Sequence, residues 1–214
     1  MVDVIILSNA IDASMKKMTQ NCIDSINDQR CKIIVIEQTD TIYKNCKTIH
    51  IKEKFNYNKF ANKGALITDN EWLLIANNDL IFYKGWLDKL LAADYPIVSP
   101  KEPADKRQKD LKTGNHLGYE TGRHLSGWCF MIRRDLYEHI GCFDEDMEFW
   151  CADNSLIEQL RAVKIPPMLV TDAIVRHFGS KTLNKSKNKE ELTKKQVIKF
   201  NKKYNKNLFN YGQG

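Results

Sequence analysis

Apolar residues in this chain fall in short unbroken runs, separated by polar turns and by segments of helical period. Asp3 to Ser8 (DVIILS) is rich in β-branched residues and predicts a strand. Lys32 to Glu37 (KIIVIE) predicts a second strand, and Thr48 to Ile51 (TIHI) a short third. Between the first two, Met15, Met18, Cys22 and Ile26 recur close to helical spacing. The run Trp72 to Ala76 is short and unbroken, which suits a strand covered on both faces. It stops abruptly at Asn77-Asn78-Asp79. A second apolar group follows (Leu80, Ile81, Phe82), and Gly85-Trp86 opens a helix with Leu87, Leu90 and Leu91 on one face. Cys129 to Ile132 predicts another buried strand, Asp135 to Ile140 a helix ending at Gly141, Asn154 to Val163 an amphipathic helix, and Met168 to Ile174 the last strand region. Strands alternating with helices imply parallel βαβ units, with helices on both faces of one sheet.

Composition narrows the class without naming a reaction. Hydrophobic content of 43% and charged content of 28% are ordinary for a soluble globular protein, and 214 residues suffice for one α/β core. No repeat and no Gly/Ser linker divides the chain. No apolar run approaches the ~18 residues of a membrane span, and the opening MVDVIILSNA lacks the basic region and cleavage site of a signal peptide. Cys22, Cys31, Cys46, Cys129, Cys142 and Cys151 form no CxxC pair and lie in apolar segments. They read as reduced core thiols rather than a disulfide or zinc framework. The expectation is a cytoplasmic protein with no transmembrane segment.

Charge is unevenly placed. Lys181 to Lys206 holds ten lysines against Glu190 and Glu191, which is +8; the chain as a whole is +6, leaving −2 for the rest. Such a run reads either as a solvated helix face or as a contact for nucleic acid or an anionic membrane. From Ser186 onward the pattern is a Lys-rich helix whose Leu192, Val197, Ile198 and Phe200 give it an apolar side to pack on the body. Asp94 to Gly122, with Pro96, Pro100 and Pro103 and a charged stretch Ala104–Lys112, is a long loop of the kind that is functional or mobile.

Candidate chemistry gathers at strand ends. Asp79 follows a buried strand, at the edge where open α/β sheets bind ligands; the plain alternative is a polar turn. Glu37 closes the second strand, where a carboxylate can accept the N3–H of a uracil or thymine ring, or simply cap a helix or face solvent. Asn58, Asn62 and Gly64 lie in FNYNKFANKG, and amides with free backbone N–H groups can bind ribose and phosphate without adding charge. Gly127-Trp128 offers close backbone approach and an aromatic face, and Trp150 offers another; both Trp also suit a core. Asp153 is either a base or the cap of the helix after it. His177 follows the last strand region in a turn-rich context.

These segments resemble the family 2 glycosyltransferases of the GT-A fold. The resemblance runs from Asp3 to about Thr182 and rests on Phe55–Leu91 and Ser126–Ser180. WLLIANND followed by GWL is similar to the family's LLFLNND strand end. FNYNKFANKG is similar to its N-x-x-x-N-x-G element, and GWCFMIRRDLYEHIGCFDE to its G-x-C-x-x-I-R-R run. HFGS resembles its closing H-x-G-S motif. The resemblance implies a mixed, mostly parallel sheet with helices on both faces: a GT-A domain over residues 1–182, with a Lys-rich helix and tail packed on it over 183–214. It implies nucleotide binding by Ser8, Glu37 (usually Asp in the family), Asn58, Asn62 and Gly64. It places Asn78, Gly127, Trp128 and Trp150 in the sugar and acceptor pocket, and Asp79 and His177 on Mn²⁺ or Mg²⁺. Asp153 becomes the general base of an inverting transfer from a nucleoside diphosphate sugar, a UDP-sugar first. The family's acidic pair is Ala152-Asp153 here, so its first acid is missing.

With a glycosyltransferase implied, Asp94 to Gly122 is read as its acceptor-side loop or lid, and the acceptor itself stays open. FW-x-x-D-N at Phe149–Asn154 and the Lys-rich tail resemble small bacteriophage glycosyltransferases, which implies duplex DNA with hydroxymethylated bases. A saccharide or lipid-linked acceptor is the alternative. Ala152 and the basic tail also admit a catalytically silent module that binds nucleotide-sugar or nucleic acid. No groove-reading motif is present.

Overall fold

The computed structural model describes residues 1–179 and 189–208. Its elements in chain order are β1 (Val2–Ser8), α1 (Ala13–Ile26), β2 (Cys31–Glu37), β3 (Lys47–His50), α2 (Tyr57–Leu66), β4 (Trp72–Asn77), β5 (Leu80–Phe82) and α3 (Trp86–Ala92). There follow β6 (Ile97–Lys101), β7 (Asn115–Leu117), β8 (Cys129–Arg133), α4 (Arg134–His139), α5 (Ala152–Ala162), β9 (Met168–His177) and α6 (Lys189–Tyr204). The strands join one sheet in the order β3-β2-β1-β4-β8-β6-β9-β5, with β7 also on β9. β1, β2, β3 and β4 are parallel; β8 runs against β4, β6 against β8, and β9 parallel to β6. β5 and β7 run against β9. Six of the nine strands therefore share one direction.

Period-two alternation divides each continuous apolar run between two cores. Val4, Ile6, Val35, Leu74 and Ala76 face α1 and α3 through Met15, Cys22, Ile26, Trp86 and Leu90. Ile5, Leu7, Ile34, Ile36, Leu73 and Ile75 face α2, α4 and α5 through Phe60, Ala61, Leu136, Leu156 and Leu160. Helix starts follow local chemistry. The Asp12 carboxylate caps α1 through Met15 N at 2.8 Å, and Asn56 caps α2 through Lys59 N at 2.9 Å.

Two sequence expectations change. The last strand does not stop at Ile174 but runs on through His177, because β5 pairs with it from Phe82–Val175 to Leu80–His177. The segment 94–122 contains two strands, β6 and β7. Pro100 sits in β6 where the register shifts between Pro100 and Lys101, a bulge that removes the need for its missing N–H. The rest of the segment is tied down by buried Glu102 and Gln108 rather than left as a free loop. All six cysteines are free thiols.

Helix α6 lies over the loop 144–150 and α5. Val197 and Phe200 pack with Met147 and Cys151. Lys203 pairs with Asp144 and Asp146, Lys199 with Asp146, and Lys206 with Glu158; Tyr204 donates to Asp144 at 2.6 Å. Two lysines of α6, with Lys206 just beyond it, are thus turned onto acids of the body. Ser180 to Asn188, including the Ser of the HFGS string, lie outside the described residues, as does the end of the chain from Phe209. No helix among the described residues is long and apolar enough to cross a membrane.

Candidate active site

The sheet's carboxyl edge opens into a cavity of about 840 Å³. Asn77, Gly127, Trp128, Asp153 and His177 line it, together with Tyr119, Trp150 and residues of α6. β4 delivers the chain to this edge, and the turn after it carries Asn78-Asp79 into β5. Asp79 is buried, and its backbone oxygen accepts from Phe178 N at 3.0 Å, so the turn and the end of β9 are joined by main chain. Asp79 Oδ1 stands 3.3 Å from His177 Nε2. Both atoms are buried, and neither makes a hydrogen bond in the protein.

Two orphaned ligand atoms in contact are a signature of something shared between them. Neighbouring ligands on an octahedral divalent ion with bonds of about 2.1 Å lie about 3 Å apart. A hard carboxylate with one imidazole suits Mn²⁺ or Mg²⁺, Mn²⁺ accepting the nitrogen more readily. The pair fits a divalent cation. Among the described residues no third His, Cys, Asp or Glu completes a cluster, so the remaining positions fall to water and to the oxygens of a ligand.

The His177 ring is held from two sides. Trp128 stacks on it, with centroids 5.4 Å apart and planes inclined by 16°. Its backbone N–H donates to the buried carboxylate of Glu102. Gly127-Trp128 is in turn fixed to β4 by Asn77 N donating to Trp128 O at 2.9 Å, and to α2 by the Tyr57 hydroxyl donating to Gly127 O.

Asp153 lies in the first turn of α5 rather than at its cap; Cys151 is the capping position, with φ 64°. Its carboxylate accepts from Gly127 N at 3.3 Å and from Asn154 N at 3.0 Å. A Cβ on Gly127 would sit 3.2 Å from the Asp153 Cβ, so glycine lets the two strands of backbone close on each other. Burial pushes the Asp153 carboxyl above the usual carboxylate range, against the hydrogen bonds and the nearby Arg107 cation, which pull it down. Ala152 is buried against the core and leaves Asp153 as the acid of this turn that faces the cavity. The neighbouring acids are committed elsewhere: Glu145 to Asn62, Asp146 to Lys199 and Lys203, Glu148 to Lys54.

Several residues expected at a nucleotide are drawn into the framework instead. Ser8 Oγ contacts Thr19 Oγ1 and Tyr43 OH, each at 3.2 Å. The Asn78 amide donates to Thr19 Oγ1 at 2.8 Å and to Ser8, pinning the turn to α1 rather than reaching a sugar. Glu37 is fully buried and accepts from Ala10 N, Thr39 N, Thr39 Oγ1 and Tyr43 OH. With its oxygens occupied and covered by Tyr43, it has no face to offer a base. Asn58 and Asn62 turn away from the edge: their amides donate to Asp144 O at 2.7 Å and Phe143 O at 2.9 Å. Gly64 lies close against β1. A Cβ there would lie 2.5 Å from Ile5 Cγ2, so the glycine serves close packing of α2 on β1. None of these six lines the cavity.

The structure adds residues that the sequence left unmarked. Ser126 lines the cavity with a buried hydroxyl that has no hydrogen-bond partner, and Tyr57, Glu102 and Arg107 support or face it. Arg107 and Glu102 come from the 94–122 segment, which the sequence marks as functional as a whole but in which no single residue stands out. Tyr57 stood within FNYNKFANKG, where the asparagines drew attention.

No protein-family model matches the sequence, and no curated protein sequence is similar to it. Solved structures do match. One is a structure of GalNAc-T7 with UDP, GalNAc and Mn²⁺, at a TM-score of 0.65 and 13% identity, covering 82% of this chain and 43% of that one. Another is the mannosyltransferase PcManGT from Pyrobaculum calidifontis in complex with GDP-Man and Mn²⁺, at a TM-score of 0.61 and 15% identity, covering 84% of this chain and 57% of that one. This chain spans about half the length of each of these proteins, and at such identities the likeness is one of fold.

Proposed function

We propose that this chain, which has the GT-A glycosyltransferase fold, is a divalent-metal-dependent glycosyltransferase. It moves a sugar from a nucleoside diphosphate sugar, a UDP-sugar first, to an acceptor hydroxyl with inversion. The observation that carries this is the orphaned pair Asp79 Oδ1 and His177 Nε2, 3.3 Å apart and buried, with His177 opening on the cavity that holds Asp153. Mn²⁺ with UDP and Mn²⁺ with GDP-Man in the two structural neighbours support it.

Asp79 and His177 would hold the cation, which supplies neutralising charge for the departing diphosphate. Asp153 takes the proton from the acceptor hydroxyl as that oxygen attacks the anomeric carbon. Its burial raises its basicity, and the first turn of α5 with Gly127 N fixes its direction. Trp128, held flat against His177, presents its ring edge and Gly127 its bare backbone at the donor sugar. Glu37 and Ser8 shape the wall behind the first strands rather than reading the base, so the choice of UDP rests on the resemblance alone.

For the acceptor, a saccharide or lipid-linked sugar is favoured over duplex DNA. The cavity wall carries aromatic rings, Tyr119, Phe149 and Trp150 among them. Lys199, Lys203 and Lys206, three of the ten lysines of the basic run, are engaged by Asp144, Asp146 and Glu158, which leaves fewer cations for a polyanion. The test is metal-dependent release of nucleoside diphosphate from a panel of UDP- and GDP-sugars, with products read by mass spectrometry in mixed oligosaccharides and hydroxymethylated DNA. Release that needs Mn²⁺ or Mg²⁺ is expected. Binding of a nucleotide-sugar without turnover on any acceptor would make the chain a silent binding module, and modified DNA as the sole product would overturn the acceptor assignment.

A further inference from the structure

The donor site described above has one carboxylate and one imidazole for its cation, where a diphosphate brings about three negative charges at neutral pH. A second source of positive charge is to be sought on the cavity wall. Arg107 lines the cavity together with Asp153 and His177. Its guanidinium is oriented by a two-point grip: Nε to Asp105 Oδ1 at 3.1 Å and Nη2 to Asp105 Oδ2 at 2.7 Å. Among the described residues Asp105 is the acceptor of its side-chain hydrogen bonds, so part of the five-donor fork stays available.

The segment around Arg107 is built to hold it there. Gln108 is fully buried; its Oε1 accepts from Glu102 N at 3.0 Å, and its Nε2 donates to Gly122 O at 3.2 Å. Glu102 accepts from Ala104 N at 2.9 Å with one oxygen and from His177 N with the other. Arg123 donates to Arg107 O at 2.8 Å. The same network thus ties the backbone of the metal-site histidine to the backbone that bears Arg107. Gly122, at φ 79°, leaves the room: a Cβ there would stand 1.9 Å from Arg107 Nη1. Any side chain at that position would displace the guanidinium.

Resting on the glycosyltransferase reading, we propose that Arg107 is the diphosphate clamp of this enzyme, a guanidinium that grips the donor's phosphate oxygens beside the cation and stays with them as the leaving group departs. Guanidinium meets phosphate at two points, which a lysine cannot do. Asp105 orients it, and the Glu102–Gln108 network keeps it in register with His177. The segment 102–123 is then a permanent part of the donor site.

The experiment is isothermal titration of UDP and GDP in Mn²⁺, with uridine and guanosine as phosphate-free controls, on the full chain and on R107Q, R107K and D105N. Arg107 is more than half exposed in its side chain, so its removal leaves the core intact, and unchanged thermal melting accompanies the comparison. R107Q is expected to weaken the diphosphate by about 10- to 100-fold and to leave the nucleoside unaffected. R107K recovers part of the loss, and D105N loses less than R107Q. R107Q that binds diphosphate as tightly as the parent, or that loses nucleoside and diphosphate equally, overturns the assignment. A parent protein that binds neither diphosphate in Mn²⁺ refutes the donor reading itself, and the clamp with it.

Discussion

Asn62→Ala separates a framework role from a ligand role in one measurement. Asn62 makes four hydrogen bonds: its amide donates to Phe143 O at 2.9 Å and Glu145 Oε1 at 3.0 Å, and its oxygen accepts from Tyr137 OH and Phe143 N, each at 3.0 Å. Phe143 and Tyr137 are both buried. Truncation strands three buried groups, the N–H and C=O of Phe143 and the Tyr137 hydroxyl, at about 1–3 kcal/mol each. Water admitted to the vacated space relieves part of this, which puts the net cost near the low end, about 3 kcal/mol. For a chain of this size each kcal/mol lowers Tm by about 2–4 °C, so a fall of about 6–12 °C is expected. The midpoint in urea moves with it. Nucleoside diphosphate affinity, titrated well below the melting transition in Mn²⁺, stays at the parent value. A variant that melts with the parent but no longer binds the diphosphate would refute this reasoning and return Asn62 to the nucleotide.

The remaining predictions concern chemistry and charge. Asp153→Asn is expected to lower kcat by about 10²–10⁴-fold while diphosphate affinity is kept; unchanged turnover removes Asp153 as base. Because burial raises its folded pKa, the acid limb of the rate profile should lie above the ordinary carboxylate range and vanish in the variant. His177→Ala should weaken Mn²⁺ binding in the presence of diphosphate, read by the electron paramagnetic resonance of free Mn²⁺, and full retention would refute its ligand role. Burial alone would raise the Glu37 carboxyl, but the hydrogen bonds from Thr39, Tyr43 and Ala10 outweigh it and hold its pKa low. A folded pKa below the unfolded one means stability that is present above the unfolded value of about 4.3 and is lost as pH falls through the folded value. Glu37→Gln should therefore narrow the gap between neutral and acid melting temperatures, and an identical pH profile counts against the arrangement.

Much of the fold was written in local pattern. The runs DVIILS, KIIVIE and WLLIA are short and unbroken, the first two rich in β-branched residues, and that pattern suits strands covered on both faces, with the intervening helical periods supplying the covers. Asp79, Asp153 and His177 stand where buried strands end or a helix begins, and the fold brings Asp79 against His177 and sets both His177 and Asp153 on the cavity. What the chain could not show locally is which polar groups find each other across long separations. Asn62 meets Phe143 eighty-one residues on, and Glu37 meets the Tyr43 hydroxyl only because the loop after β2 folds over it. In sequence an asparagine that binds phosphate and one that braces a loop look the same. Tertiary packing decides between them, since a buried amide must satisfy its hydrogen bonds with whatever the fold brings within 3 Å. The same holds for Arg107, which becomes part of the site only because buried Gln108 and Glu102 join its segment to the end of β9.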